Sequence, residues 1–325
     1  MKAVVCDGFG GVEVMRIDDL PDPVAGPGQL LLRVRAAALN RADTLQRQGG
    51  YSPPPGESQI LGIEIAGEVV ALGDGVHGFA RGDRVFGLVG SGGYAELCLL
   101  DAGMAVHVPD GWSYVQAAAV PEVFYTADTT LFELGELQAG QTVLIHAGGS
   151  GVGTACIQLA KAIGARSFVT CGTDDKIRRC LELGADAGIN YRTHDFAGEV
   201  MRLMAGEGVD VVEDFLGAEY LARNLSVLKP GGRLVQVGLI TGHDAPVDLL
   251  QVVLRRLQIK GSSMRPRPLA DKRAITEKFR QRWLPLLVAG TLTGIVDSVF
   301  PLDEVSLAHG RMEANLNFGK ILLTM

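Results

Sequence analysis

The chain has 325 residues, which at about 150 residues per domain is a prior for two domains. Hydrophobic residues make up 47% and charged residues 21%, the balance of an ordinary globular protein, which excludes the disordered classes. The formal net charge of −7 excludes a global positive field that would draw the protein to nucleic acid or an anionic membrane. The outlying number is 43 Gly, about 13% of the chain against a norm of about 7%. With 14 Pro and no Gly-X-Y period, these glycines serve turns and close backbone approaches.

The first residues, MKAVVCDGFGG, lack the apolar stretch of a signal peptide. The five cysteines (Cys6, Cys98, Cys156, Cys171, Cys180) are scattered and form no Cys-x-x-Cys pair, which fits a reducing compartment and predicts a cytoplasmic protein. No run approaches the length of a membrane span. The longest apolar stretch, Trp283 to Val296, is broken by Pro285 and Gly290 and reads as core. Asn224-Leu225-Ser226 matches the glycosylation tripeptide by chance.

Up to about residue 120 the chain reads as β-rich, with short apolar runs at Leu30–Val34, Ile63–Ala71 and Tyr94–Leu100 between Gly/Pro/Asp turns. A helical stretch is expected over Ala117–Leu134. Six candidate strands then alternate with helical patterns: Thr142–His146, Ser167–Cys171, Ala187–Asn190, Val209–Asp214, Arg233–Val237 and Gln258–Ser262. That alternation predicts a doubly wound parallel sheet. The tail after about residue 265 is too short for its own core and is expected to fold back on the first domain.

Thr142–His146 runs through Ala147-Gly148-Gly149-Ser150-Gly151-Val152-Gly153 into the helical Thr154–Lys161. Strand, glycine turn, helix is the context in which a pyrophosphate approaches bare backbone and meets the N–H groups of a helix N-terminus. Gly148 and Gly153 take the first and third places of the G-x-G-x-x-G pattern, with Ser150 in the second. A serine-esterase elbow is excluded, because Val152 stands where G-x-S-x-G needs glycine. An acid ending the second strand would select the ribose 2′-hydroxyl of NAD. Here the strand ends Cys171-Gly172-Thr173, and Asp174 and Asp175 read as the first turn of a helix. Lys176 and Tyr191-Arg192 are candidates to meet a 2′-phosphate, which predicts NADPH as cofactor.

These residues, with Asn40-Arg41-Ala42-Asp43, Gln48-Gly49-Gly50-Tyr51-Ser52-Pro53-Pro54-Pro55-Gly56, Gly82-Asp83-Arg84-Val85, Gly92-Gly93-Tyr94-Ala95-Glu96, Asn190-Tyr191-Arg192 and Gly319-Lys320, carry a resemblance along nearly the whole chain. The chain resembles the zinc-independent medium-chain dehydrogenases/reductases of the quinone oxidoreductase (zeta-crystallin-like) family, most of all its tumour-suppressor-inducible branch. The resemblance implies an α/β fold: a GroES-like β-barrel domain, residues 1–121 and 265–325, with an inserted Rossmann domain, residues 122–264, that binds NADPH. It implies that Asn40 and Tyr51 line the nicotinamide and substrate end of the active site, and these are the two candidate catalytic residues. It further assigns Ser150, Gly151, Val152 and Gly153 to the pyrophosphate, and Gly172, Thr173, Lys176 and Tyr191 to the adenosine ribose phosphate. Gly238, Leu239, Ser263 and Met264 would flank the nicotinamide, with Asn317 at the C-terminal side.

Zinc alcohol dehydrogenases of the same fold would carry a cysteine at Asn40 and a histidine at Ile63, so no metal is expected, although Asp43 and Glu64 remain. The six histidines are dispersed, and His146 reads as a satisfied residue at a strand end. The run Arg265–Arg282, with seven Lys/Arg against two acids, reads as a solvated helix. The family's last Rossmann strand often pairs edge to edge, which implies a homodimer. The expected activity is hydride transfer from NADPH to a small-molecule quinone or other conjugated carbonyl, without nucleic acid or membrane partners. Two alternatives stay open: a 2-enone or enoyl-thioester reductase, and a low-turnover NADPH-binding structural or sensor protein.

Overall fold

A computed structural model describes residues 1–325, which separate into two units: Met1–Tyr125 with Arg265–Met325, and Thr126–Met264. In the first unit, β1 (Lys2–Cys6) and β2 (Met15–Asp19) form an antiparallel ribbon. The unit's seven-stranded sheet is built from β3 (Gln29–Ala38), β4 (Glu64–Leu72), β5 (Arg84–Leu88), β6 (Leu97–Asp101), β7 (Val106–His107), β14 (Val296–Pro301) and β15 (Lys320–Thr324). Its order is β14-β15-β3-β4-β5-β7, with β6 also paired to β3. The long strand β3 is shared: Gln29–Arg33 pair with β6, Ala36–Ala38 pair with β15, and β4 runs along its other edge. Gly67 permits that last pairing, since a Cβ there would stand 2.3 Å from the Arg33 carbonyl oxygen.

Helices α1 (Arg41–Arg47), α2 (Tyr114–Ala118), α9 (Leu269–Arg282), α10 (Leu284–Val288) and α11 (Val305–Glu313) complete this unit, and α3 (Pro121–Asp128) leads out of it. The helical stretch expected over Ala117–Leu134 is not continuous. α2 stops at Ala118, α3 restarts at Pro121, and Thr129–Leu134 winds as a π-helix. Proline lacks the N–H an unbroken helix needs and suits a helix's first position. Trp283 to Val296 is core on one side only: Trp283, Leu287 and Leu292 are buried, whereas Val288 faces water.

The second unit carries a six-stranded sheet of β8 (Thr142–Ile145), β9 (Arg166–Cys171), β10 (Ala187–Asn190), β11 (Val209–Asp214), β12 (Leu228–Gln236) and β13 (Gln258–Gly261). Every pairing is parallel and the order is β10-β9-β8-β11-β12-β13, the doubly wound arrangement. Helices α4 (Gly151–Ala162), α5 (Asp174–Leu183), α6 (Phe196–Leu203), α7 (Leu221–Ser226) and α8 (Leu249–Arg255) connect the strands. β8 is buried at every position, as a strand covered on both faces must be. His146 is fully buried after β8 and satisfied by Thr170 Oγ1 at 2.9 Å and Asn224 Oδ1 at 2.7 Å. Asn224 is fully buried, which closes it to glycosylation. No helix is long and apolar enough to cross a membrane.

One carboxyl lies inside this sheet. Glu213 on β11 is buried; Thr130 Oγ1 donates to its Oε1 at 2.5 Å, while Oε2 has no partner. Burial pushes its pKa up to about 7 from an ordinary 4.5. The folded state therefore holds a proton that the unfolded chain releases, so this stabilisation is full below about pH 4.5 and is lost as pH rises to about 7. Glu213→Gln keeps the shape and removes the titration. Thermal unfolding of both proteins should show the variant gaining on the wild type from about pH 5 to about pH 7, by up to about 1.4 kcal/mol per pH unit, then holding a constant lead. A gap that does not change with pH would mean that Glu213 stays ionised.

Candidate functional site

In the first unit, β3 ends at Ala38 and the chain turns through Leu39-Asn40 into α1. The Asn40 N–H donates to Asp43 Oδ2 at 2.8 Å, holding the start of the helix. The Asn40 side chain faces inward: Nδ2 donates to Glu64 Oε1 at 2.9 Å and to the Ala38 carbonyl at 3.3 Å. Lys320, at the start of β15, donates from Nζ to Asn40 Oδ1 at 2.7 Å and to the Leu39 carbonyl at 2.6 Å, and lies 2.6 Å from Glu64 Oε1. Glu64 Oε2 accepts from the Glu122 N–H at 2.9 Å. Beside this group, Asp43 accepts from Tyr94 Oη at 2.9 Å and from the Gly62 N–H at 3.1 Å. Burial pushes the Asp43 carboxyl up to about 6, against the pull of these donors and of Lys320. Asn40, Asp43, Glu64, Tyr94 and Lys320 are all buried. A buried ammonium with three oxygen acceptors and a carboxylate partner is satisfied, which is the condition for keeping such charges in a core.

Tyr51 lies beyond α1 in the segment Gly50–Gly56, half-buried. The Arg265 guanidinium sits 5.3 Å from the centre of its ring, and Nη1 donates to the Tyr51 carbonyl at 3.4 Å. The same guanidinium donates to Gln46 Oε1 of α1 at 2.8 Å and to the Gly90 carbonyl at 2.8 Å. Arg265 is only 7% exposed, so the expectation of a solvated basic run fails at its first residue. Asn317, also in this unit, turns its amide to the Gly319 carbonyl at 2.8 Å.

In the second unit, Ser150 caps α4, its hydroxyl accepting from the Gly153 N–H at 3.0 Å. Gly151 and Val152 open the helix. The turn is tight: Ala147 takes a φ of 51°, and a Cβ on Gly153 would stand 2.5 Å from the Ala147 carbonyl oxygen. A Cβ on Gly148 would meet the Val169 side chain at 2.6 Å. Helix N-terminus, missing Cβ atoms and the end of a parallel strand together fit a pyrophosphate.

At the end of the neighbouring strand β9, Thr173 caps α5 and accepts from the Lys176 N–H at 3.3 Å, with Asp174 and Asp175 in the first turn as expected. A Cβ on Gly172 would stand 2.7 Å from Tyr191 Oη and 3.3 Å from Arg192 Nε. Gly172, Tyr191 and Arg192 thus meet at one point, with Lys176 one helical turn away. Gly238 and Leu239 follow β12; a Cβ on Gly238 would lie 2.6 Å from the Phe215 carbonyl oxygen, and Leu239 is exposed. Ser263 and Met264 follow β13 by way of Ser262, whose N–H donates to the Gln236 carbonyl at 2.8 Å. All these groups gather at the carboxyl ends of the parallel strands, where open α/β sheets bind ligands.

A two-unit chain with this sheet order, this phosphate turn and a GroES-like partner unit is a nicotinamide-dependent oxidoreductase of the medium-chain class. Residues 26–110 match the family profile "Alcohol dehydrogenase GroES-like domain" and residues 151–280 match "Zinc-binding dehydrogenase". The chain is 32% identical over 339 residues to the synaptic vesicle membrane protein VAT-1 homolog of Homo sapiens, covering 99% of this chain and 86% of that protein. It is 32% identical over 314 residues to the quinone oxidoreductase of Sus scrofa, covering 95% and 93%. Among solved structures, Escherichia coli quinone oxidoreductase complexed with NADPH superposes with a TM-score of 0.92 at 28% identity, covering 100% of both chains. The CurK enoyl reductase superposes with a TM-score of 0.88 at 29% identity, covering 100% of this chain and 99% of that one. The chain belongs to the zinc-independent quinone oxidoreductase family of medium-chain dehydrogenases/reductases.

The name of the second profile implies a zinc that the residues here do not fit. Ile63 offers no donor, and both Asn40 and Glu64 are committed to the Lys320 ammonium. No group of three or more His, Cys, Asp or Glu side chains is arranged to hold a metal ion.

In the sequence Lys320 and Tyr94 stand out only within the matching stretches, and Arg265 only as part of the Met264–Pro268 loop expected, with the loop around Tyr51, to set substrate shape. Lys320 did leave a signal: it opens KILLT, where a lysine leading an apolar run must either end the strand or find a buried partner. Removing that partner should be severe. Lys320→Met leaves the Glu64 carboxylate uncompensated and should cost about 3–5 kcal/mol, read as a fall in the urea or thermal midpoint. Adding Glu64→Gln should recover part of the loss, and a double variant as unstable as the sum of the singles would show that the two charges do not interact.

Proposed function

We propose that the protein is an NADPH-dependent reductase that passes hydride to a quinone or a related conjugated carbonyl without a metal. The observation that carries this reading is the convergence of Gly172, Tyr191 and Arg192 beside Lys176, at a strand end with no acid, next to the Ser150–Gly153 turn. A carboxylate there would reward a 2′-hydroxyl, whereas cationic and hydroxyl donors reward a 2′-phosphate. Ser150, Gly151, Val152 and Gly153 would hold the pyrophosphate; Gly172, Thr173, Lys176, Tyr191 and Arg192 would hold the ribose phosphate. Gly238, Leu239, Ser263, Met264 and Asn317 are proposed at the nicotinamide. NADPH supplies the hydride, and the chain supplies orientation and exclusion of water.

On the acceptor side we assign Tyr51 as the side chain that orients the carbonyl and donates a hydrogen bond to its oxygen. Asn40 spends its amide on Glu64, Ala38 and Lys320, so its role is to hold the wall of the site in shape. A quinone that takes hydride becomes a hydroquinone monoanion, whose charge rests on oxygen and is cancelled by a proton from water. No indispensable proton donor is needed for that step. The likeness to an enoyl reductase keeps a second acceptor class in view, since an enolate must be protonated at carbon.

The exposed Leu250, Val253 and Leu254 of α8 beside the edge strand β13 support a homodimer formed through this side of the second unit. Sedimentation should give twice the chain mass for the wild type and the chain mass for a Leu250→Asp/Leu254→Asp variant. Free thiols at all five cysteines suit a cytoplasmic location.

Oxidation of NADPH against a panel of quinones, 2-enones and an enoyl-CoA tests the activity itself. Quinones should turn over fastest, and Tyr51→Phe should lower kcat with them by about tenfold or less, roughly 1.4 kcal/mol, and hit enones harder. Tight NADPH binding with no turnover would instead indicate a structural or sensor protein. In titrations, Lys176→Ala should weaken NADPH by about 1.5–3 kcal/mol, roughly 10- to 150-fold, and leave NADH nearly untouched. Equal affinity of the wild type for both cofactors would remove the assignment of the ribose-phosphate residues.

A further inference from the structure

Arg265 is a cation buried without a bonded counter-ion. Its hydrogen bonds go to neutral oxygens: the Gly90 carbonyl at 2.8 Å, Gln46 Oε1 at 2.8 Å and the Tyr51 carbonyl at 3.4 Å. Asp43, Glu57 and the Tyr51 phenol favour its charge only across space, and burial pulls the guanidinium below its ordinary range. A second cation is attached to the same residue, for Lys272 Nζ donates to the Arg265 backbone carbonyl at 3.1 Å. A buried guanidinium is ordinarily paired with a carboxylate, because desolvating it alone is costly. This one meets Tyr51 twice: its Cζ carbon lies over the Tyr51 ring, 5.3 Å from the centre, and Nη1 donates to the Tyr51 carbonyl. Pro266 and Pro268 flank the following residue and remove backbone freedom from the segment that carries the arginine.

We propose that Arg265 is a positioning and specificity-determining residue of the acceptor side, fixing Tyr51 and placing an unneutralised positive charge behind its ring, so that the site favours acceptors whose reduction leaves negative charge on oxygen. The proposal rests on the assignment of Tyr51 made above. It names the acceptor class by the product: hydride adds to the conjugated carbonyl, the electron pair it displaces moves to oxygen, and the oxyanion forms at the Tyr51 hydroxyl before water protonates it. A charge already in place behind the ring stabilises that oxyanion without rearranging as it forms. Acceptors that keep their charge on oxygen, quinones foremost, gain most. The guanidinium fork also ties α1, through Gln46, to the segments around Tyr51 and Gly90, so the arginine under the ring is itself anchored at three oxygens.

The test is a kinetic cycle on the full-length protein with a neutral naphthoquinone as acceptor. Arg265→Gln should lower kcat by about tenfold while leaving the dissociation constant for NADPH, followed by fluorescence, within about twofold of the wild type. Arg265→Lys, which keeps the charge and loses the fork, should retain kcat within about threefold. In the Tyr51→Phe background, Arg265→Gln should add little, because its effect passes through the hydroxyl that is already gone. Equal losses in the Gln and Lys variants, or losses that multiply with Tyr51→Phe, would overturn the proposal, since a merely structural residue behaves in that way. Should Arg265→Gln fail to fold, Arg265→Lys alone decides the point: a kcat that stays near wild type sustains it and a tenfold fall overturns it. A wild type inactive with every quinone would defeat the functional reading itself, whereas an active wild type with an equally active Arg265→Gln defeats only the role of Arg265.

Discussion

The buried contact of Lys320 with Glu64 and Asn40 is the constraint around which the first unit is built. It joins the last strand of the chain to β4 and to the turn after β3, the latter 280 residues away in sequence. β15 pairs with β3 on one side and β14 on the other, so the C-terminal tail is an internal strand of a sheet whose other members come almost wholly from the first third of the chain. An ammonium and a carboxylate together out of water are tolerable only if every donor finds an acceptor, and here each does. The same contact fixes the orientation of the Asn40 amide and leaves Glu64 unable to serve a metal.

The second unit solves a different problem with backbone. Its working surface is the carboxyl edge of the parallel sheet, where Ser150, Gly172, Gly238 and Ser263 follow four different strands. The glycines matter there because a Cβ would collide with the Val169 side chain, the Tyr191 hydroxyl or the Phe215 carbonyl oxygen. Lys176 and Arg192 bring positive charge to one corner of that edge, and the cofactor preference proposed above rests on them. On the proposed reading binding energy and selectivity are separable: the turn at Ser150–Gly153 would serve any dinucleotide, and the residues around Gly172 would decide which one.

Much of this was legible in the sequence, for physical reasons. The parallel sheet announced itself because short β-branched and apolar runs, Thr142–Ile145 the clearest of them, alternate with helical patterns through this half of the chain. The phosphate turn was legible because glycine spacing is a local property. The break at Pro121 was visible too, but the apolar pattern around it outweighed a single proline. The partners of Lys320 and Arg265 were not legible, because they lie far away in the chain: Glu64 for one, Gln46, Tyr51 and Gly90 for the other. A basic residue in a basic run looks solvated until the fold brings a ring and three carbonyl oxygens around it.

Lys320 occupies Asn40 Oδ1 and Glu64 Oε1, and Ile63 offers no donor, so the first unit has no set of side chains left to hold a zinc ion. The most direct measurement is the rate of NADPH oxidation with a quinone, before and after exhaustive dialysis against a strong chelator, on untagged protein whose metal content is determined in parallel. The account predicts no stoichiometric zinc and an unchanged rate. One zinc per chain, with turnover lost on its removal and restored on its return, would contradict it.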